Sequence, residues 1–365
     1  MNELYYYNPN ALVKSDIVGK DIDAWNQIYQ FINYAVGLND RMELLKLPVN
    51  TKIHPQCRLP ALSASSMSYK DCCTAQAQKL WDLSDQLGVP LGIMWSGGID
   101  STRVLVSFLE NYPMAELAAK IKIVTSEKAK YENPEFYYKY ILPNFELVNS
   151  ELSPWLFDRK LILVTGELND QLFGSDLLRG LMLTNKDLFS VRIDRQTVFS
   201  YVDAKIKHAD ATAILVDAVF KSAETYGIVL EKTSDWFWWF NFCFKWQTVC
   251  FRTMTLAMPR FWPSIDQDYF GNYLHHFFAS NEFQLWSIHN PQVRVMEKWS
   301  DYKNQAKLEI FNFDGNRDYY QNKTKRGSLS TVFNQRAVAK AIGTDFKFHD
   351  SVALSEWYNP NNSFN

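Results

Sequence analysis

Short apolar runs alternate with helical stretches between residues 72 and 183, and this alternation limits the folds open to the chain. The apolar runs are VPLGIMW (89–95), IKIVTS (121–126) and KLILVTG (160–166). The stretches of helical period are CCTAQAQKLWDLSDQLG (72–88), STRVLVSFLENY (101–112) and NDQLFGSDLLRGLML (169–183). Alternation of this kind predicts an α/β fold, a parallel twisted sheet with helices on both faces. The polar loops 96–101 and 166–171 then follow strands at the sheet edge where such folds bind ligands.

The rest of the chain is predicted to be mostly helical. DIDAWNQIYQFINYAVGL (21–38) has helical spacing, and a polar connection follows it. SDWFWWFNFCFKWQTVCF (234–251) is apolar nearly all round a helix, which favours a buried helix. The alternative, an aromatic platform that stacks bases, is less favoured because few basic residues are interleaved.

Composition narrows the function classes. Lys and Arg total 38 against 40 Asp and Glu, which gives a net charge of −2. This balance argues against a large surface that binds nucleic acid independently of its sequence. The N-terminus shows no signal-peptide pattern, and no uninterrupted apolar run reaches membrane-spanning length. We therefore expect a cytoplasmic protein with no membrane segment. Its five cysteines are expected to be reduced packing thiols.

The loop after the first strand has the chemistry of an anion site. Consecutive backbone N–H groups at a helix start attract negative charge, and two glycines let a ligand approach the backbone closely. The loop residues are Ser96, Gly97, Gly98, Ile99, Asp100, Ser101 and Thr102. The Asp100 carboxylate beside a phosphate requires an intervening cation, for which Mg²⁺ is suited. The same residues also describe a connecting turn followed by an Asp-capped helix, and from this reasoning alone both interpretations stay open.

The loop, as SGGIDS (96–101), closely resembles the SGGxDS signature of the ATP pyrophosphatases, the PP-loop family. The resemblance implies an adenine nucleotide alpha hydrolase-like fold and an enzyme that splits ATP between the α and β phosphates, with Mg²⁺ as the metal. Asparagine synthetases are members of this family, and VTGELNDQLFGSD (164–176) resembles their SGEGADELFGGY segment. The departures are Leu168 and Asn169 in place of Gly-Ala, and Gln171 in place of a glutamate.

Two weaker similarities follow in the same order. FWPSIDQDYF resembles the PFLD segment of asparagine synthetases, with Asp266 at the acid position. DYKNQAKLEIF resembles their KxxLR segment, with Lys303 in the place of the lysine and Lys307 in that of the arginine. The resemblance implies an N-terminal extension (1–70) and a synthetase domain (71–365). Within that domain we expect a nucleotide-binding core over about 85–200 and a helical, aromatic-rich part over about 201–365.

The resemblance also implies residue roles. The loop residues named above and Gly166 would bind ATP and its pyrophosphate, and Asp100 and Asp170 would hold Mg²⁺. Lys303 would neutralise charge on the phosphates, and Glu167 would assist the incoming amine. The chain begins Met1-Asn2 and lacks the N-terminal nucleophilic cysteine of the glutamine-using enzymes. Ammonia, a substrate amine or ammonia from a partner protein is therefore the expected amine source.

The expected function is an AMP-forming ligase that adenylates a small carboxylate and transfers it to ammonia or an amine. One alternative is adenylation of a nucleotide or nucleic-acid base, and NKTKRGSL (322–329), with Lys323, Lys325 and Arg326, is its candidate contact. A solvated loop is the favoured interpretation of that segment. A further alternative is a non-catalytic relative that binds a nucleotide or partner. Gln171 and the Leu168-Asn169 change support this alternative.

Overall fold

In the computed structural model the described residues are Glu3–Leu4, 38–45, Lys52–Ile53, 55 and 57–323. The chain divides into two compact units. Among the described residues, the sheet unit comprises 64–169 and 254–323, and the helical unit comprises those up to 63 together with 170–253. Residues 21–37 of the helix predicted near the N-terminus lie outside the described residues, as do Lys325 and Arg326 of the basic segment.

The strands form two sheets. They are β1 (Glu3–Leu4), β2 (Lys52–Ile53), β3 (Leu91–Met94), β4 (Ile121–Thr125), β5 (Glu146–Asn149), β6 (Ile162–Thr165) and β7 (Leu274–His276). β1 and β2 pair in parallel within the helical unit. The other five form an all-parallel sheet of order β5-β4-β3-β6-β7 in the sheet unit. The predicted α/β class, with a mostly helical remainder, is confirmed.

Helices make up most of the remaining described chain. The α-helices are α1 (Tyr69–Leu87), α2 (Ile99–Leu109), α3 (Met114–Lys120), α4 (Pro134–Phe136), α5 (Asn169–Phe173), α6 (Ser175–Thr184), α7 (Lys186–Phe189), α8 (Arg195–Ile206), α9 (Ala209–Tyr226), α10 (Thr233–Phe240), α11 (Trp246–Arg252), α12 (Gln267–Asn272), α13 (Asn281–His289), α14 (Asn304–Asp314) and α15 (Arg317–Asn322). The 3₁₀ segments are Glu127–Tyr131, Ser150–Trp155, Thr253–Leu256, Pro259–Ser264, Phe277–Ala279, Pro291–Arg294 and Trp299–Asp301. The π-helical segments are Tyr137–Ile141 and Asn241–Lys245. No helix in the described part of the chain is long and apolar enough to span a membrane.

Helix α1 starts three residues before the predicted start because of a capping box. The Ser68 hydroxyl oxygen accepts a hydrogen bond from the Asp71 backbone N–H at 3.1 Å. The Asp71 carboxylate accepts one in return from the Ser68 backbone N–H at 2.9 Å. These reciprocal bonds satisfy donors that a helix start leaves without intrahelical partners. The helix ends at Gly88, whose φ of +64° is the left-handed conformation that favours glycine.

The aromatic segment 234–251 is buried, as predicted. It forms α10, the π-helical segment Asn241–Lys245 and most of α11. Within the helical unit two of its indole groups have polar partners. The Trp238 Nε1–H donates to the Leu172 carbonyl at 3.0 Å, and the Trp239 Nε1–H donates to the Ser222 hydroxyl at 2.8 Å. These rings are core side chains and are not exposed for base stacking.

The strand order places the two polar loops beside each other. From β3 the chain moves through β4 to β5 at one edge, whereas β6 and β7 lie on the other side of β3. The order therefore reverses between β3 and β6. In open parallel sheets such a reversal opens a crevice at the carboxyl ends of the strands, where ligands bind. The loop after β3 and the loop after β6 both lie at this position.

Candidate functional site

The loops after β3 and β6 pack against each other with no room for another atom. A Cβ on Gly166 would lie 2.9 Å from the Ser101 backbone nitrogen and 3.0 Å from the Asp100 carbonyl carbon. Separations this short do not occur for real side chains, so only glycine allows this approach. Gly166 therefore brings the second loop onto the first turn of α2.

Gly97 has two separate reasons to be glycine. Its φ is +74°, and a Cβ there would lie 2.4 Å from the Ala129 carbonyl oxygen and 2.7 Å from the Glu132 Cβ. The loop thus packs directly against the 3₁₀ segment Glu127–Tyr131 and against Glu132, the next residue of the chain. Gly98 has an ordinary φ of −74° and is the N-cap of α2, without a side-chain capping bond. The helix start therefore presents backbone rather than a capping side chain, as an anion site requires.

The loop hydroxyls hold the turn together. The Ser96 and Ser101 hydroxyls lie 3.0 Å apart, within hydrogen-bond distance. The Ser101 hydroxyl oxygen also accepts from the Ser96 backbone N–H at 3.0 Å, and the Ser96 hydroxyl accepts from the Gly98 N–H at 3.3 Å. The Thr102 hydroxyl accepts from the Trp95 indole N–H at 3.2 Å and is buried. The loop shape is therefore built into the fold.

Asp100 accepts hydrogen bonds from Asn169 and from Lys303, which lies far along the chain. Its Oδ1 accepts from the Asn169 side-chain amide at 2.7 Å. Its Oδ2 forms an ion pair with the Lys303 ammonium, 203 residues away in sequence. The Lys303 side chain is 1% exposed and that of Asp100 is 25% exposed. A buried ammonium needs a partner of opposite charge, and Asp100 supplies it. The structure thus brings together two residues that the sequence assigned to one site.

Lys303 is placed by an unusual backbone conformation. Its φ of +59° and ψ of +34° are left-handed, and it occupies the N-cap position of α14. A lysine in this region costs conformational energy, which the packing around it must offset. Leu168 in the second loop has a similar conformation, with φ +74°, and is fully buried. Lys303, which contacts Asp100, therefore has a left-handed backbone itself. Leu168, which is also left-handed, directly precedes Asn169, another hydrogen-bond donor to Asp100.

Sequence reasoning missed Asn169 and Tyr69 as site residues. The Asn169 side chain is fully buried, and its Oδ1 accepts from the Tyr69 hydroxyl at 3.1 Å. Asn169 appeared in the sequence only as a departure from the asparagine synthetase pattern. Tyr69 had no motif that could have marked it, because it lies 100 residues from Asn169 and becomes its partner only through folding.

Glu167 and Asp170, the other carboxylates of the second loop, are both half-buried. The Glu167 backbone N–H donates to the Thr165 hydroxyl at 3.2 Å, and that hydroxyl lies 2.7 Å from His276 Nδ1. His276 therefore holds the turn at the end of β6 from the neighbouring strand β7. Asp170 lies in the first turn of α5 and belongs to the helical unit.

Asp266 and Lys307, the candidates from the two weaker similarities, have structural partners. Asp266 caps α12 by accepting from the Tyr269 backbone N–H at 2.8 Å, and it pairs with Arg159 at 3.0 Å. The Lys307 ammonium donates to the Ser300 carbonyl. Burial lowers the pKa of Lys307 from its ordinary value. Both side chains thus stabilise local structure in the sheet unit.

Asp100 is the carboxylate of the first loop that could contribute a ligand to a magnesium–phosphate group. Across the described residues, no three His, Cys, Asp or Glu side chains form a group that could hold a metal ion. Mg²⁺ at phosphate sites commonly binds one or two carboxylates and completes its coordination with phosphate oxygens and water.

No protein-family model, curated protein or solved structure matches this chain.

Proposed function

We propose that this protein is an ATP-dependent, AMP-forming synthetase that adenylates a carboxylate and transfers it to ammonia or an amine. The observation that carries the proposal is the ion pair of Lys303 with Asp100 at the start of α2. An isolated Gly-Gly turn could be only a connector. A buried lysine brought from α14 onto that turn adds positive charge at the place where a phosphate would lie.

Each group of the site has a place in this reaction. The α2 N-terminus would bind the β and γ phosphates, which leave as pyrophosphate. Bound at Asp100, Mg²⁺ would neutralise phosphate charge. Lys303 would stabilise the negative charge that develops when the substrate carboxylate attacks the α-phosphate. Glu167, in the adjacent loop, would orient the amine that displaces AMP.

The direct test is pyrophosphate release with ATP, Mg²⁺ and ammonium, screened over small carboxylic acids with aspartate first. We expect Asp100→Asn and Lys303→Met to abolish acid-dependent release. The matched control is Lys120→Met, because Lys120 is also a poorly exposed lysine paired with a carboxylate, Asp85, at 2.6 Å. Lys120 ends α3 immediately before β4 and so lies at the opposite, amino end of that strand.

The outcomes separate the candidate functions. Release that Lys120→Met retains and Lys303→Met loses supports the proposal. Normal release by Asp100→Asn or Lys303→Met refutes the assigned site. Release that requires a nucleoside or nucleic acid instead of a small acid would replace amide synthesis by base modification.

A further inference from the structure

We propose that Asn169 is a positioning residue that, held by the Tyr69 hydroxyl, orients the Asp100 carboxylate for a magnesium–nucleotide ligand. The inference rests on the proposed function. It concerns a hydrogen-bonded chain of three side chains, Tyr69, Asn169 and Asp100, all within the sheet unit.

The chemistry of the three groups allows only one orientation of the amide. An ionised carboxylate can only accept hydrogen bonds, so the Asn169 NH₂ group must face Asp100. The amide oxygen must then face Tyr69, and an oxygen acceptor there requires the tyrosine hydroxyl to donate. The distances of 2.7 Å and 3.1 Å match these assignments. Asp100 therefore sets the amide orientation, and the Tyr69 hydroxyl donates to the amide oxygen in that orientation.

Tyr69 is itself held firmly. It begins α1 directly after the capping residue Ser68, and it is 1% exposed. Its ring lies 4.8 Å from that of Trp286 and 5.6 Å from that of Phe283, between centroids. Burial raises the pKa of Tyr69 well above its ordinary value, so the hydroxyl keeps the proton that it donates.

The two donors on Asp100 differ in charge, and this gives Asn169 a role distinct from that of Lys303. Lys303 supplies positive charge to Oδ2, whereas Asn169 supplies a neutral donor to Oδ1. Together they fix the carboxylate plane. A neutral donor orients the carboxylate without adding a second positive charge that would repel a metal ion. Preorganisation of this kind reduces the cost of binding.

The test measures binding rather than turnover. The probe is the α,β-methylene analogue of ATP, which cannot be cleaved at the bond in question, titrated by calorimetry over a series of Mg²⁺ concentrations. We expect Asn169→Ala to raise the Mg²⁺ concentration needed for half-maximal binding about tenfold, the size of one lost hydrogen bond to a charged group. Tyr69→Phe keeps the ring packing and should raise it about threefold, since it loosens the amide without removing it.

The double variant distinguishes positioning from general loosening of the fold. If Tyr69 acts through Asn169, adding Tyr69→Phe to Asn169→Ala should change the Mg²⁺ dependence no further. Tyr112→Phe is the control, because Tyr112 stacks on Trp81 with centroids 3.9 Å apart and follows the far end of α2. It should leave the Mg²⁺ dependence unchanged. Melting temperatures show which variants fold, and Tyr69→Phe carries the test if Asn169→Ala does not.

The outcomes keep the two proposals apart. Absence of Mg²⁺-dependent nucleotide binding in the wild-type protein refutes the proposed function and this inference with it. Normal wild-type binding with unchanged Mg²⁺ dependence in both Tyr69→Phe and Asn169→Ala overturns the inference and leaves the function standing. Additive effects in the double variant likewise refute the proposed coupling.

Discussion

The adjacent glycines of the first loop differ enough in environment to test how that loop is built. Gly97→Ala would place a methyl group 2.4 Å from the Ala129 carbonyl oxygen, a backbone atom that cannot move away by a side-chain rotation. The same substitution would hold an alanine at φ +74°. Gly98→Ala has neither problem, because its φ is −74° and the nearest heavy atom is the Ser96 hydroxyl oxygen at 3.2 Å.

The expected costs follow from these two differences. A left-handed alanine costs about 1–2 kcal/mol, and forcing extra volume into a packed site costs about 1–3 kcal/mol more. Gly97→Ala should therefore destabilise the protein by about 2–5 kcal/mol. Gly98→Ala should stay within about 1 kcal/mol of wild type, because alanine also restricts the unfolded chain and so offsets part of the crowding.

Two measurements check this prediction. Urea denaturation followed by circular dichroism gives the free energy of unfolding of both variants. Hydrogen exchange over residues 95–105 reports whether the loop opens locally while the rest of the protein stays folded. Equal stability and equal loop protection in the two variants would refute the argument, since it assigns the whole difference to φ and to the contact with Ala129.

Three further predictions concern stability. Burial lowers the pKa of His275 from 6.5 to about 4, so the unfolded state binds more protons than the folded state between these two pH values. The free energy of unfolding should therefore fall by at most about 3 kcal/mol as the pH drops through this range. His275→Asn should reduce the change of the urea midpoint with pH over the same range. Gly180→Ala, inside α6 where a Cβ meets nothing within 4 Å, should stabilise by up to about 1 kcal/mol, and an unchanged or lower urea midpoint would contradict this. Arg103 and Lys70 both bond Glu110 at 2.9 Å, but their side chains are 0% and 50% exposed; Arg103→Met should cost about 3 kcal/mol in urea denaturation and Lys70→Met less than about 1, and equal losses would refute the burial argument.

Local patterns were sufficient for the strands that carry the site. The runs that contain β3, β4 and β6 are continuously apolar and are bounded by turn or polar residues, so each strand could be placed to within two residues at either end. The strands β5 and β7 escaped prediction. β5, ELVN, is largely exposed at the sheet edge, and β7, LHH, has only three residues. Neither has a pattern of its own, because pairing with a neighbouring strand decides its conformation.

The first turn of the site could also be predicted from residues adjacent in sequence. SGGIDS placed a flexible turn and a helix start after a buried strand, and the structure has α2 beginning at Ile99. The sequence SGGIDS alone did not predict that glycine is required at position 97 rather than at position 98. This requirement depends on the Ala129 carbonyl, which lies on a different segment and meets the loop only in the folded chain.

By itself, therefore, the sequence determined the α/β class, the order of elements around the two loops and the identity of Asp100 and Lys303 as candidates. Only the tertiary structure decided that these two form an ion pair, that Asn169 donates a hydrogen bond to Asp100 and that Tyr69 donates one to Asn169. The physical reason is the range of each interaction. Strand period, glycine turns and helix starts are set by neighbours in sequence, whereas a buried charge takes whatever partner packing brings to it.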